Sequence, residues 1–144
     1  LAGASRLLER GGMLVGVDLK KDARKLHAAY NDDAGVTAEF NLNLLERINR
    51  ELGGEFERAR FAHRAFYDPD LGRIEMHLES LVAQSVRVAG ERFEFVAGET
   101  IHTENSYKYG VEEFQALARR AGFVPETVWI DDQRLFAIHF LRVA

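Results

Sequence analysis

The chain has 144 residues, 47% hydrophobic and 29% charged, with a formal net charge of −4, enough for one globular domain with a hydrophobic core. Acids and bases are interspersed without a long basic run, which argues against nucleic-acid binding, and no apolar stretch approaches the roughly 20 residues that would span a bilayer. There is no cysteine, which excludes disulfides and thiolate metal sites; with no signal-peptide pattern at the start, a cytoplasmic location is expected.

The opening Leu1-Ala-Gly-Ala-Ser-Arg-Leu-Leu-Glu-Arg10 reads as the end of a helix already under way, as in a piece of a longer protein. Residues 4–10 predict a helical turn or two, stopped by Gly11-Gly12. Residues 13–17 form a nearly continuous apolar run, which predicts a strand buried on both faces, as in parallel sheets. It exits at Asp18-Leu-Lys-Lys-Asp22, where surface charge is the expected role of the ionic groups.

Two helices follow. Residues 21–31 place Ala23, Leu26, His27 and Tyr30 on one face, at spacings of three and four. After Asn31-Asp-Asp-Ala-Gly35, residues 36–52 repeat the pattern with Val36, Phe40, Leu44, Leu45, Ile48 and Leu52, and Gly53-Gly54 ends the helix. From about residue 60 the period becomes two. Residues 60–68, 73–81, 83–89 and 91–97 predict half-buried antiparallel strands forming a meander, with a tight turn at Ala89-Gly90. Residues 98–109 run extended and polar. Residues 111–122 predict an amphipathic helix with Phe114, Leu117, Ala118 and Ala121 inward, and strands over 123–130 and 135–141 close the chain as an antiparallel pair.

The expected class is α+β, a fragment of an α/β fold. Residues 1–19 would be the end of one sheet-bearing core and residues 109–144 the return to it. Residues 20–108 would form an inserted domain of helices and antiparallel strands. A piece of this kind leaves strand edges exposed, a route to pairing with a second copy.

Beyond periodicity, a series of words in this sequence points to a family. Gly16-Val-Asp-Leu-Lys-Lys-Asp22, Ala28-Ala-Tyr-Asn-Asp-Asp-Ala-Gly-Val-Thr-Ala-Glu-Phe-Asn-Leu-Asn43, Asn49-Arg-Glu-Leu-Gly53, Ile74-Glu-Met-His-Leu78 and Gly98-Glu-Thr-Ile-His-Thr-Glu-Asn-Ser-Tyr-Lys-Tyr109 occur in order. Together they resemble the histidine-specific, S-adenosylmethionine-dependent N-methyltransferases of ergothioneine biosynthesis, over essentially the whole chain. The resemblance implies the last strands of a Rossmann-like core, an inserted domain that holds the amino acid, and trimethylation of the α-amino group of L-histidine to hercynine. It implies substrate contacts at Tyr30, at Met76 along the imidazole, and at Glu104 and Ser106 on the ring nitrogens. The family's glycine motif, ribose-binding acid and substrate-orienting asparagine match nothing in these residues, so S-adenosylmethionine would bind mainly upstream and the isolated chain is expected to be inactive. The hairpin between Met76 and Glu104 is slightly shorter than in the family.

The implied residues suit the chemistry. Gripping an imidazole takes one group for each ring nitrogen, and a carboxylate with a hydroxyl two residues along a strand supplies both from one face. A substrate without the ring would leave Glu104 desolvated and unpaired, and Met76 offers the ring a polarizable surface. Two other readings stay open: a methyltransferase for another amino acid or amine, and a non-catalytic ligand-binding homologue. Of the histidines at 27, 63, 77, 102 and 139, no pair has the i, i+4 spacing of a helical zinc site. His77 and His102 lie on predicted strands that could meet, but two histidines do not make a site, and no metal is expected.

Overall fold

The computed structural model describes residues 1–8 and 11–144. The first helix, α1, runs Ala2–Leu8; positions 9 and 10, where the expected helix would have ended, lie outside the described residues. The fold mixes helices with antiparallel sheets and divides into two units, Leu1–Lys21 with Tyr107–Ala144, and Asp22–Ser106. Among the described residues no helix is long and apolar enough to cross a membrane.

The first unit is a three-stranded sheet. Strand β1 (Gly12–Asp18) and the two closing strands β7 (Phe123–Ile130) and β8 (Phe136–Val143) lie in the order β1-β8-β7. Strand β8 is antiparallel to both neighbours, so β1 and β7 run parallel to each other. Helix α4 (Val111–Arg120) leads into β7 and packs on it. Gly110 N–H donates to the Glu113 carboxylate at 3.0 Å, closing the first turn of α4. One sheet face carries Val17, Leu141 and Phe123, which join Phe114 and Ala118 of α4 in a buried cluster.

The expectation that β1 is a two-sided buried parallel strand is not met. Its register is antiparallel to β8, its burial alternates, and Leu14 is 65% exposed. The reason is positional: β1 is an edge strand, and the face holding Leu14, Phe136 and Ile138 is open to solvent. An apolar run reports hydrophobicity on both faces without saying whether both are covered. Gly16 of β1 sits under the Phe136 ring, where a Cβ would come within 2.6 Å of the ring.

The second unit sets two helices on a sheet. Helix α2 (Ala23–Tyr30) is capped by Asp22, whose carboxylate accepts from Arg24 N–H at 2.8 Å. Helix α3 (Val36–Leu52) follows, then a 3₁₀ turn (Arg58–Arg60), β2 (Phe61–Asp68), β3 (Arg73–Ser80), β4 (Gln84–Val88), β5 (Glu91–Phe95) and β6 (Thr100–Tyr107), whose last residue belongs to the first unit. Strands β2-β3-β6 form one sheet, and β4-β5 form a separate hairpin. The expected continuous meander is therefore broken after β3. Buried Ser80 marks the corner: its N–H donates to Glu99 O, its carbonyl accepts from Gly98 N–H, and its hydroxyl donates to Val82 O. Ala89 and Gly90 both take positive φ, 50° and 86°, as the two central residues of a tight hairpin turn require.

Two clusters fill this unit, Leu26 with Ala65, Ile74 and Met76, and Leu45 with Phe61 and Leu78. The helix faces differ in part from expectation. Leu26 is buried and Tyr30 half-buried, but Ala23 and His27 are exposed; on α3, Asn41 and Leu45 are the buried positions while Val36, Phe40 and Leu52 are exposed.

Candidate functional site

The turn between α2 and α3 is built from side chain to backbone bonds. Asn31 donates through Nδ2 to Ala65 O on β2 at 3.1 Å. The Asp32 carboxylate accepts from Val36 N–H and Thr37 N–H at 2.8 and 2.9 Å, satisfying the first turn of α3. These bonds from Thr37 and Val36 hold the Asp32 carboxyl down at about 2. Gly35, at φ 71°, supplies the left-handed step into the helix. The Asn-Asp-Asp-Ala-Gly word is thus a rigid corner that fixes the end of α2, and with it Tyr30.

Tyr30 is held twice. Its carbonyl accepts from His63 Nε2 on β2 at 2.8 Å, and His63 Nδ1 accepts from Asn41 Nδ2 at 3.0 Å. The same Asn41 amide donates to His77 O at 3.0 Å, tying α3 to β3. At its other end the Tyr30 hydroxyl donates to Ser106 Oγ on β6, 2.7 Å away and 76 residues along the chain. Thr103 Oγ1 donates to Met76 O at 2.9 Å and so pins β6 against β3.

A cavity of about 190 Å³ lies beside these residues, lined in part by Phe40, Asn41, Leu44 and Arg47 of α3, Met76 of β3, and Thr103 and Glu104 of β6. Of the four residues expected at the site, Met76 and Glu104 border this cavity, while Tyr30 and Ser106 are bonded to each other outside its lining. Glu104 and Ser106 both fall on β6, two residues apart. The Glu104 carboxylate is exposed and has no hydrogen bond or ion pair among the described residues. Arg47 across the cavity is engaged with Glu51 at 3.0 Å.

Sequence reasoning missed Phe40, Asn41 and His63. Phe40, expected to face inward with Val36 and Leu44, instead stands exposed at the cavity, and nothing in the sequence sets it apart from that apolar stripe. Asn41 and His63 had no signal, because their pairing joins a helix to a strand 22 residues away. In the first unit, Asp18 is not surface charge: it pairs with the buried ammonium of Lys108 at 2.7 Å and also with Lys21. Burial acts to raise the Asp18 carboxyl, but the bonds and charges of Lys108 and Lys21 outweigh it and hold it below its usual value.

A family model described as histidine-specific methyltransferase, SAM-dependent, matches residues 1–143. A histidine N-alpha-methyltransferase of Mycolicibacterium smegmatis is 43% identical over 130 residues, covering 89% of this chain and 40% of that protein. One of Mycobacterium tuberculosis is 39% identical over 140 residues, covering 96% of this chain and 43% of that protein. Ergothioneine biosynthesis protein 1 of Neurospora crassa is 30% identical over 131 residues, 81% of this chain and 13% of that protein. The chain spans about two fifths of the length of the two methyltransferases.

Proposed function

The chain belongs to the histidine-specific, SAM-dependent methyltransferase family, and from that premise we propose that it is the substrate-binding and sheet-closing part of an enzyme that methylates the α-amino nitrogen of L-histidine to hercynine. The observation that carries the reading is the Tyr30–Ser106 hydrogen bond, two residues along β6 from a carboxylate without a partner that borders a cavity with Met76. In this reading Glu104 accepts an imidazole N–H, Ser106 meets the other ring nitrogen, and Met76 lies along the ring. Tyr30, pinned by His63, orients the amino acid's polar end.

S-adenosylmethionine supplies an electrophilic methyl group. The residues present do not fit its cradle: the connection from β1 to α2, Leu19 to Asp22, has no glycine and so lacks a glycine-rich strand-to-helix turn. The reading assigns that cradle to sequence beyond these 144 residues, with the unit of Leu1–Lys21 and Tyr107–Ala144 as the closing strands of a Rossmann-like sheet and Asp22–Ser106 as an insertion. What this chain contributes is position. An α-amine, with an ordinary pKa of about 8, is readily neutral once desolvated, and holding it in line with the donor supplies much of the acceleration. The reading includes a cytoplasmic site of action, and pairing of copies through the open β1 edge of the isolated chain.

The test is to assay the full-length protein with S-adenosylmethionine and histidine, tryptophan or tyrosine in turn, and follow product mass. Three methyl additions to histidine alone are expected, with none from the isolated 144 residues. Turnover of another amino acid in preference would move the assignment to a different amine, and no turnover with any would favour a ligand-binding homologue.

A further inference from the structure

The sheet of the second unit has a second polar centre. Directly opposed residues of an antiparallel pair share a face, and the register pairs Arg64 with His77 and Phe66 with Glu75. Met76, between the two, points to the opposite face. On this outer face the rings form a stack. Phe66 lies against His77 at 5.3 Å and 19°, and His77 against His102 of β6 at 4.4 Å and 16°. Both imidazoles address one carboxylate: His77 Nε2 is 3.0 Å and His102 Nε2 4.0 Å from Glu75 Oε2.

We propose that Glu75, His77 and His102 form a binding site for a divalent transition-metal ion of the zinc type. Among the described residues they are the one group of three such side chains whose donor atoms all lie within 4.8 Å of one another. Two imidazoles and a carboxylate select zinc and its transition-series neighbours over magnesium or calcium, which prefer oxygen. Metal–ligand bonds near 2.1 Å in a tetrahedral site put donors roughly 3.4 Å apart. The 3.0 Å pair opens by a few tenths of an ångström, and the 4.0 Å pair closes by rotation of His102, the most exposed of the three.

The surroundings are those of a ligand set. Arg73 donates to the other oxygen of Glu75, from Nε at 2.9 Å, while both imidazoles face Oε2. Bonds from Arg73 and then His77 hold the Glu75 carboxyl below its usual value, in its ligating form. His77 Nδ1 lies 3.2 Å from Thr100 Oγ1. A hydroxyl donates or accepts, so His77 can pass from the tautomer that donates Nε2–H to Glu75 to the Nδ1–H tautomer that presents a bare Nε2 to a metal, keeping its Thr100 bond with no net change in protons. His102 Nε2 now donates to Glu104 O at 3.2 Å. Binding metal through Nε2 gives up that bond and frees the Glu104 carbonyl.

The test uses the 144-residue chain stripped with chelator and titrated with zinc against a chromophoric competitor. One zinc per chain is expected, with His102→Ala and Glu75→Gln each weakening binding about tenfold or more, while His27→Ala, at an exposed helix position, leaves it unchanged. Circular dichroism checks that the variants fold. As a measurement independent of any variant, the imidazole NMR signals of His77 and His102 should move with zinc in the unaltered chain. No saturable site, equal affinity in His102→Ala, or zinc shifts confined to other histidines would overturn the proposal.

Discussion

The two units treat their polar groups in opposite ways. In the first, the buried ammonium of Lys108 is closed off by Asp18, and His139 is fully buried with neither ring nitrogen bonded among the described residues. In the second, Asn41, His63 and Tyr30 form a chain of bonds that reaches Ser106, and the Glu104 carboxylate borders a cavity without a bonded partner among the described residues. A buried charge closed by its partner serves the fold, as Asp18 does for Lys108; the Glu104 carboxylate of the second unit, with no bonded partner among the described residues, is in the proposed reading left for recognition.

The largest expected effect sharpens the first half of that contrast. Asp18→Asn leaves Lys108 buried beside a neutral amide and should cost about 3 kcal/mol, the low end for a broken buried pair because Asp18 keeps partial contact with solvent. Urea denaturation of the chain measures it, and a loss below about 1 kcal/mol would show that Lys108 finds other compensation. In the second unit the effect should fall on binding. Glu104→Ala in the full-length protein should lower kcat/KM for histidine by about 30-fold, roughly 2 kcal/mol for a lost charged hydrogen bond, with the melting temperature unchanged. If the melting temperature drops and kcat/KM does not, Glu104 is structural and the contrast breaks. Tyr30→Phe removes one hydroxyl that Ser106 accepts from; about a fivefold loss is expected, near 1 kcal/mol. The same substitution should leave the His63 bond to the Tyr30 carbonyl intact, so urea stability should change by less than its effect on binding.

Local chemistry was legible in the sequence and long-range geometry was not. The caps, the positive-φ hairpin turn at Ala89-Gly90, the helices and the strand spans each depend on a few adjacent residues, and they stand within a residue or two of expectation. The break of the meander at Ser80 was invisible, because it depends on Glu99 and Gly98 returning across the hairpin. The antiparallel setting of β1 was equally hidden, since β8 lies more than a hundred residues away. At the candidate site, resemblance supplied Tyr30, Met76, Glu104 and Ser106, and alternation placed the last two on one strand. Periodicity put Phe40 in the core because Val36, Phe40 and Leu44 share a stripe, yet the helix is rotated so that Asn41 and Leu45 face inward. A buried asparagine reads as polar surface until its partner, His63, is known. The third member of the outer-face cluster shows the same limit: Glu75 and His77 are two residues apart and easily paired by eye, but His102 reaches them only through the pairing of β6 with β3.

The smallest effect tests the first unit again, through His139. This side chain lies at the centre of β8, opposite Val15 and Val128, with its ring 4.7 Å from Phe114. Burial without a bonded partner pushes its pKa below the ordinary 6.5. In the unfolded chain the ring titrates at its ordinary value, so between that value and the lowered one the unfolded state binds more protons. Stability then rises with pH across this window, is full above about 6.5, and is lost as pH falls through it. The carboxylates Asp18 and Glu75 also lose stabilisation in acid, but their lowered values place that loss at more acid pH, so they do not contribute over the interval from 6.5 to 5. His139→Leu keeps an apolar side chain in the same slot and removes the titrating group. It should flatten the slope of unfolding free energy over that interval without lowering stability at pH 7.5. A slope that persists in the variant would mean that protonation elsewhere destabilises the chain, and that His139 is not the acid-sensitive element of this sheet.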